Sequence, residues 1–136
     1  MLSGERISAF VPTTDGDLAR AFYVDLLGLR LINDDEFALV LDSNGVTVRV
    51  SKVPTFTPHK FTVLGWEVSD IDKLVTDLSS KGVIFENFGL PGQDEKGIWT
   101  APEVDNATGG ARVAWFKDPD GNVLSLSQLT LDAGTS

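Results

Sequence analysis

The sequence predicts an α+β fold in which one strand–helix–strand–strand–strand module occurs twice. Three observations carry this reading. Asp15 and Asp70 each stand at the start of an apolar stripe with helical spacing. Ser43-Asn44-Gly45 and Asp118-Pro119-Asp120-Gly121-Asn122 each join two short apolar segments, as hairpin turns do. The order of the elements is the same in both halves.

In the first half, Ile7 to Val11 alternates apolar residues at Ile7, Ala9 and Val11 and ends at Pro12, which reads as a strand. Asp15 then opens a helix whose Leu18, Phe22 and Leu26 fall at i, i+4 and i+8, and Gly28 ends it. Strands are expected at Leu29–Asn33, Glu36–Asp42 and Thr47–Lys52, the last two joined at Asn44-Gly45. Residues 54–60 form a linker rich in Pro and Thr. The second half begins with a strand at Phe61–Val68. Asp70 caps a helix carrying Ile71, Leu74, Val75 and Leu78 on one face, and Gly82 stops it. Val83–Phe88, Ala111–Lys117 and Val123–Leu129 complete the set of strands. The helix starts differ by 70 − 15 = 55 positions and the turn glycines by 121 − 45 = 76, so the second half carries an insertion near residues 89–110. The chain reads as a single domain, 1–136, with module one at about 5–53 and module two at about 61–130.

Composition removes whole classes of chemistry. The 136 residues hold 11 Lys+Arg against 20 Asp+Glu, a net charge of −9, with 42% hydrophobic residues, as expected of an acidic globule. The absence of Cys excludes disulfides, thiolate zinc and cysteine nucleophiles. One His, His59, excludes any site within one chain that needs two imidazoles. The negative field opposes nucleic acid and anionic membrane, so neither is an expected partner. No apolar run is long enough to span a bilayer and Met1–Phe10 lacks the shape of a signal peptide, so a cytoplasmic protein is expected. Asp118–Gly121 is not an EF-hand, because Gly comes too early and no Glu closes the loop. Asn106-Ala107-Thr108 matches a glycosylation sequon without a secretory context, and no nucleophile elbow, P-loop or GxGxxG occurs.

The paired modules, the spacing from Asp15 through Phe22-Tyr23 to Leu27-Gly28, and the run Trp115-Phe116-Lys117-Asp118-Pro119-Asp120-Gly121-Asn122 resemble the vicinal oxygen chelate superfamily. That group holds glyoxalase I, extradiol dioxygenases, and fosfomycin- and bleomycin-resistance proteins. The resemblance covers residues 5–130 and implies paired βαβββ modules forming a curved, partly open barrel-like sheet around a cleft, commonly in a homodimer. In the enzymes of this group a divalent metal is held by one inward residue from each of four strands. Counting back seven from Asp15 gives Ser8, and adding 55 gives Val63. Counting four on from Gly121 gives Ser125, and subtracting 76 gives Arg49. Two hydroxyls, a guanidinium and an alkyl group are not a donor set for a Lewis-acidic metal, so no metal and no other cofactor is expected.

Strand alternation adds neighbours to these four positions: Phe10 beside Ser8, Thr47 and Ser51 beside Arg49, Gly65 and Glu67 beside Val63, and Val123 and Ser127 beside Ser125. The family resemblance turns Val113 and Trp115 to the same side. Two readings stand for most of these residues. Arg49 anchors an anionic group or pairs with Glu67; Ser8, Ser125 and Ser127 orient a ligand or fill space. Trp115 is a stacking platform or core, whereas Trp66 lies on the opposite strand face and reads as core. In the insertion, Trp99 is a lid residue or a packing anchor. His59 and Glu67 are the candidates for acid–base work. Together these residues predict a metal-independent protein that binds a small organic drug or metabolite, similar to the bleomycin-resistance branch. The alternatives are a metal-independent lyase or isomerase using Glu67 or His59, and a divergent metalloenzyme with ligands elsewhere, of glyoxalase or dioxygenase type.

Overall fold

A computed structural model of the chain describes residues 1–102 and 110–129. The sequon at Asn106–Thr108 lies outside the described residues. The chain divides into two compact units, Met1–Lys60 with Asp118–Asn122, and Phe61–Lys117 with the chain from Val123 onward. Each holds one four-stranded mixed sheet with little helix, an α+β architecture. No described helix is long and apolar enough to cross a membrane.

Unit one contains β1 (Ser8–Thr13), α1 (Gly16–Arg20), β2 (Arg30–Asp34), β3 (Ala38–Ser43) and β4 (Val46–Lys52), with sheet order β1-β4-β3-β2. β1 runs parallel to β4, and the other pairs are antiparallel. The β3–β4 hairpin closes at Asn44 and Gly45, whose φ values of 48° and 88° are those of a type I′ turn, which matches strand twist. The Asp15 side chain accepts from the Asp17 and Leu18 amides and caps α1. One sheet face carries Val11, Leu39, Leu41, Val48 and Val50, all buried, together with Ala19 and Tyr23 from the helical segment.

The helix departs from the expected stripe. Leu18 is 55% exposed, and Ala19 and Tyr23 are the buried pair. From Ala21 to Leu26 the helix widens to a π-helical turn, where the Leu27 amide donates to Phe22 O. The extra residue per turn rotates the stripe away from the 3.6-residue pattern. Tyr23 is thereby buried with its hydroxyl on Asp118 Oδ2 at 2.7 Å.

Asp118 is the centre of a polar cluster inside unit one. Its Oδ2 also accepts from Asn122 Nδ2 (2.8 Å), and its Oδ1 accepts from the Asp120 and Asn122 amides at 3.0 and 2.9 Å. Asn122 Nδ2 donates again, to Pro12 O at the end of β1. Asp120 accepts from both hydroxyls of Thr13 and Thr14 and from the Thr14 amide. Burial pushes the Asp120 carboxyl up, but these three donors outweigh it and hold the group below the usual carboxylate range. The Asp-Pro-Asp-Gly-Asn turn is consumed by structure: it fixes the junction between β1 and α1.

Unit two contains β5 (Thr62–Glu67), α2 (Ile71–Ser80), β6 (Trp99–Thr100), β7 (Ala111–Lys117) and β8 (Val123–Leu129), in sheet order β5-β8-β7-β6. Asp70 caps α2 through the Lys73 amide, and Ile71, Val75 and Leu78 are buried, with Leu74 half-buried. Leu124, Leu126, Ala114 and Phe116 complete this core. The strand expected at Val83–Phe88 does not form; Phe85 makes one bridge to Phe116, and the edge strand is the two-residue β6. Gln93 explains why. Its side-chain amide donates to Glu86 O and Gly97 O and accepts from the Phe88 amide, so this stretch folds back on itself rather than along β7.

The repeat is visible in the strand register. Adding 55 and 76 to the pair Phe10–Arg49 gives Gly65–Ser125, and to Pro12–Ser51 gives Glu67–Ser127; all four pairs occur. The relation slips once. A bulge between Thr62 and Leu64 takes Val63 out of register, and Thr62 faces Val123 instead.

Two outcomes test this packing. Tyr23 is the chain's single tyrosine, and burial, then the Asp118 charge and hydrogen bond, push its phenol far above the ordinary value. With the folded value above the unfolded one, its stability contribution is full below about pH 10 and falls as pH rises toward the folded value. The near-ultraviolet phenolate band should therefore rise only with alkaline unfolding, and Tyr23→Phe should cost about 1–3 kcal/mol in urea denaturation. A Cβ on Gly65 would stand 2.5 Å from Ser125 Oγ and 3.2 Å from its carbonyl oxygen. Gly65→Ala should destabilise by about 1–3 kcal/mol, and adding Ser125→Ala should recover part of that loss in the same assay.

Candidate functional site

Alternation leaves each sheet with one face turned away from its buried core. In unit one, a row runs across this face from Asn33 through Val40 and Arg49 to Phe10. The next row is Asp42, Thr47 and Ser8, and on the other side stand Ala38, Ser51 and Pro12. Ser8, Phe10, Arg49 and Ser51 thus emerge on one face of the sheet. Ser8 and Phe10 are exposed, and Arg49 and Ser51 half-buried. Asp35 lies near enough for Arg49 to act on its charge. The Phe37 and then the Ala38 amide, with weaker help from Arg49 and Asn33, hold the Asp35 carboxyl low.

In unit two, Gly65, Ser125 and Trp115 form one row, and Glu67, Ser127, Val113 and Trp99 the next. Trp66 pairs with Leu126 on the opposite face, beside Ala114, and is half-buried rather than sealed in the core. Trp115 is the middle of an aromatic cluster. Its ring centroid is 6.1 Å from that of Trp99, tilted by 39°, and 5.4 Å from that of Phe88, edge to face at 64°. Trp99 belongs to the edge strand β6, and its indole N–H donates to Pro91 O at 3.0 Å. Ser125 is buried against Gly65, so its hydroxyl occupies the space a larger residue at 65 would need. Ser127 is half-buried and Glu67 exposed. Lys117, further along β7, is 3.3 Å from Glu86.

His59 is exposed in the linker of unit one. Arg49 and Glu67 lie in different units, each on the open face of its own sheet. The sequence reading missed Phe88, placed there in a strand; its contact with Trp115 depends on the fold-back at Gln93, which has no local signal. It also read the Asp118–Asn122 turn as a family mark without seeing Tyr23 as its partner.

The four positions that resemble the superfamily's metal ligands do not fit a divalent ion. Ser8 and Arg49 lie on one sheet, Ser125 is packed on Gly65, and Val63 is a bulge residue with no donor atom. Among the described residues, no three of His, Cys, Asp or Glu converge as a metal-binding group. A guanidinium repels a cation rather than ligating it. What the faces do offer is stacking on indole, hydrogen bonding to hydroxyls, and charges of both signs, among them Arg49 and Glu67.

Comparison with known proteins agrees with this geometry. The family model of the Glyoxalase/Bleomycin resistance protein/Dioxygenase superfamily matches residues 6–126. A search of curated protein sequences returns no significant match. Among solved structures, the chain is similar to a member of this superfamily from Sphaerobacter thermophilus (TM-score 0.68, 24% identity, 95% of this chain and 100% of that one). It is similar also to TnmS3, an antibiotic binding protein from Streptomyces sp. CB03234 (TM-score 0.66, 25% identity, 94% and 98%). A glyoxalase/bleomycin resistance protein/dioxygenase from Alicyclobacillus acidocaldarius gives TM-score 0.66 at 17% identity, over 92% and 91%. With its family model matched across nearly the whole length, the chain belongs to the Glyoxalase/Bleomycin resistance protein/Dioxygenase superfamily.

Proposed function

We propose that this protein binds a planar organic small molecule, a drug or metabolite, without a metal, and that Trp115 is its stacking surface. One observation carries the reading: the Trp99–Trp115–Phe88 cluster shares an open sheet face with Glu67 and Ser127. Core aromatics are ordinarily sealed, but Trp99 and Trp115 are both half-buried and Phe88 is exposed. Two flanking rings restrain the Trp115 indole, which lowers the entropy lost when a flat ligand lies on it. Ser127 and Glu67 on the neighbouring row supply a donor and an acceptor to fix its orientation. The donor chemistry at Ser8, Arg49, Val63 and Ser125 favours binding over the metal-dependent reactions of the superfamily. The likeness to TnmS3, described as an antibiotic binding protein, supports the same reading. The homodimer that the family implies belongs to this proposal and is read by sedimentation.

Thermal unfolding against a panel of polyaromatic antibiotics, repeated after chelator treatment, tests it. A ligand at about 100 times its Kd should stabilise the chain by about 2.7 kcal/mol with or without chelator. Trp115→Ala should weaken that ligand about tenfold, whereas Glu67→Gln, with a neutral isostere, should change affinity by less than about tenfold. A panel with no stabilising member, or stabilisation that chelator abolishes, overturns the proposal.

A further inference from the structure

Arg49 differs from the other basic side chains in the strands of its sheet, Arg30 and Lys52, and from Arg20 of α1. Arg20 is 3.0 Å from Asp34, Lys52 2.8 Å from the same carboxylate, and Arg30 3.9 Å from Asp42. Elsewhere Lys73, Arg112 and Lys117 pair with Asp77, Asp72 and Glu86. The Arg49 side chain has no hydrogen bond and no ion pair among the described residues of unit one, although its backbone is paired on both sides in the sheet. It is half-buried in β4, a central strand flanked by β1 and β3. A guanidinium carries five N–H donors in a planar fork, and partly withdrawing them from water without an acceptor is costly.

The carboxylates facing it are engaged elsewhere. Asp35 directs Oδ1 at the Phe37 and Ala38 amides and Oδ2 at Asn33, and acts on Arg49 only through space. Asp42, one row away, is the partner of Arg30. On the β1 side, the register neighbour of Arg49 is Phe10, an aromatic left 62% exposed. Direct cross-strand neighbours stand about 5 Å apart, so a ring on Phe10 lies within the span of a small aromatic acid whose carboxylate meets Arg49. Ser8 and Ser51, on the flanking rows of the same face, carry hydroxyls suited to a second hydrogen bond.

We propose that the Phe10–Arg49 face of unit one binds an organic anion, a carboxylate borne on a planar ring, with Arg49 forking the carboxylate and Phe10 covering the ring. The position that resembles a metal ligand in the superfamily's enzymes thus carries a covalently fixed cation, selecting an anionic group directly. The net charge of −9 opposes anions at long range, so selectivity rests on this local contact. This inference stands on unit one alone and is independent of the Trp115 reading.

Benzoate and its uncharged analogue benzamide are the probes, titrated into the full ¹⁵N-labelled chain. Benzoate should shift amide signals of β1 and β4 around Phe10 and Arg49 saturably, and bind about tenfold more tightly than benzamide. Arg49→Gln should remove that preference, Arg49→Lys should weaken benzoate yet keep a preference, and Phe10→Ala should weaken both probes alike. If Arg49→Gln unfolds, the lysine variant decides, because it retains the charge without the planar fork. Equal binding of the two probes, a preference that survives Arg49→Gln, or benzoate shifts confined to β7 and β8 would each overturn the proposal. The last outcome leaves the Trp115 reading intact, and a Trp115 failure leaves this one intact.

Discussion

The structure of unit one depends on one buried carboxylate. Asp118 accepts four hydrogen bonds, from Tyr23, from the Asp120 amide, and from the amide and side chain of Asn122. A buried ion without such donors is prohibitive, and with them it becomes a strict geometric constraint. The tyrosine must arrive at the right depth, which the widened π-helical turn achieves. The asparagine must also reach Pro12 O, which ties the turn to the end of β1. The junction of β1 and α1 is then held from a segment about 100 positions away in the chain. That explains why a motif resembling a mere reverse turn is so specific: all four carboxylate oxygens of Asp118 and Asp120 have an assigned partner.

The two open sheet faces show how a repeated scaffold comes to bear unlike chemistry. The same register pair is Phe10–Arg49 in one unit and Gly65–Ser125 in the other. In the first, an aromatic ring and a guanidinium stand side by side and remain accessible. In the second, the glycine lets a serine hydroxyl fill the gap, and the aromatic surface moves to Trp115 on the next strand. Backbone pairing fixes where side chains emerge; it does not dictate which chemistry emerges there. The side chains at Ser8, Arg49 and Ser125 differ from a metal donor set without disturbing the strand register, because backbone pairing carries it.

Much was legible before folding was considered. The helix caps at Asp15 and Asp70 and the Asn44-Gly45 turn are local, set by side-chain oxygen reach and by positive φ. From the positions that the family resemblance located, strand alternation added Phe10 to Ser8, Ser51 to Arg49, Glu67 to Val63 and Ser127 to Ser125, because a two-residue period needs no tertiary information, while the resemblance itself turned Val113 and Trp115 to that side. The failures share one cause. Leu18 has the helical spacing of a core residue, yet Tyr23 is the buried one, since Asp118 competes for it from far along the chain. Val83–Phe88 has the composition of a strand, yet the Gln93 side chain satisfies its backbone first. The bulge at Val63 shifts an offset that is uniform along the rest of the strand.

The sequence by itself determined the repeat, the α+β class, the caps and turns, and the absence of a metal donor set at four positions. The repeat, the class, the caps and the turns follow from short-range geometry; the four positions follow from the family resemblance, and their lack of donors from which functional groups stand there. Only the tertiary structure decided that Asp118 is an internal ligand of unit one, that Trp115 is clasped between Trp99 and Phe88, and that the Arg49 side chain has no hydrogen bond or ion pair among the described residues of unit one. Those facts concern which groups compete successfully for one another across long sequence separations, and that competition is resolved only when burial sets its cost.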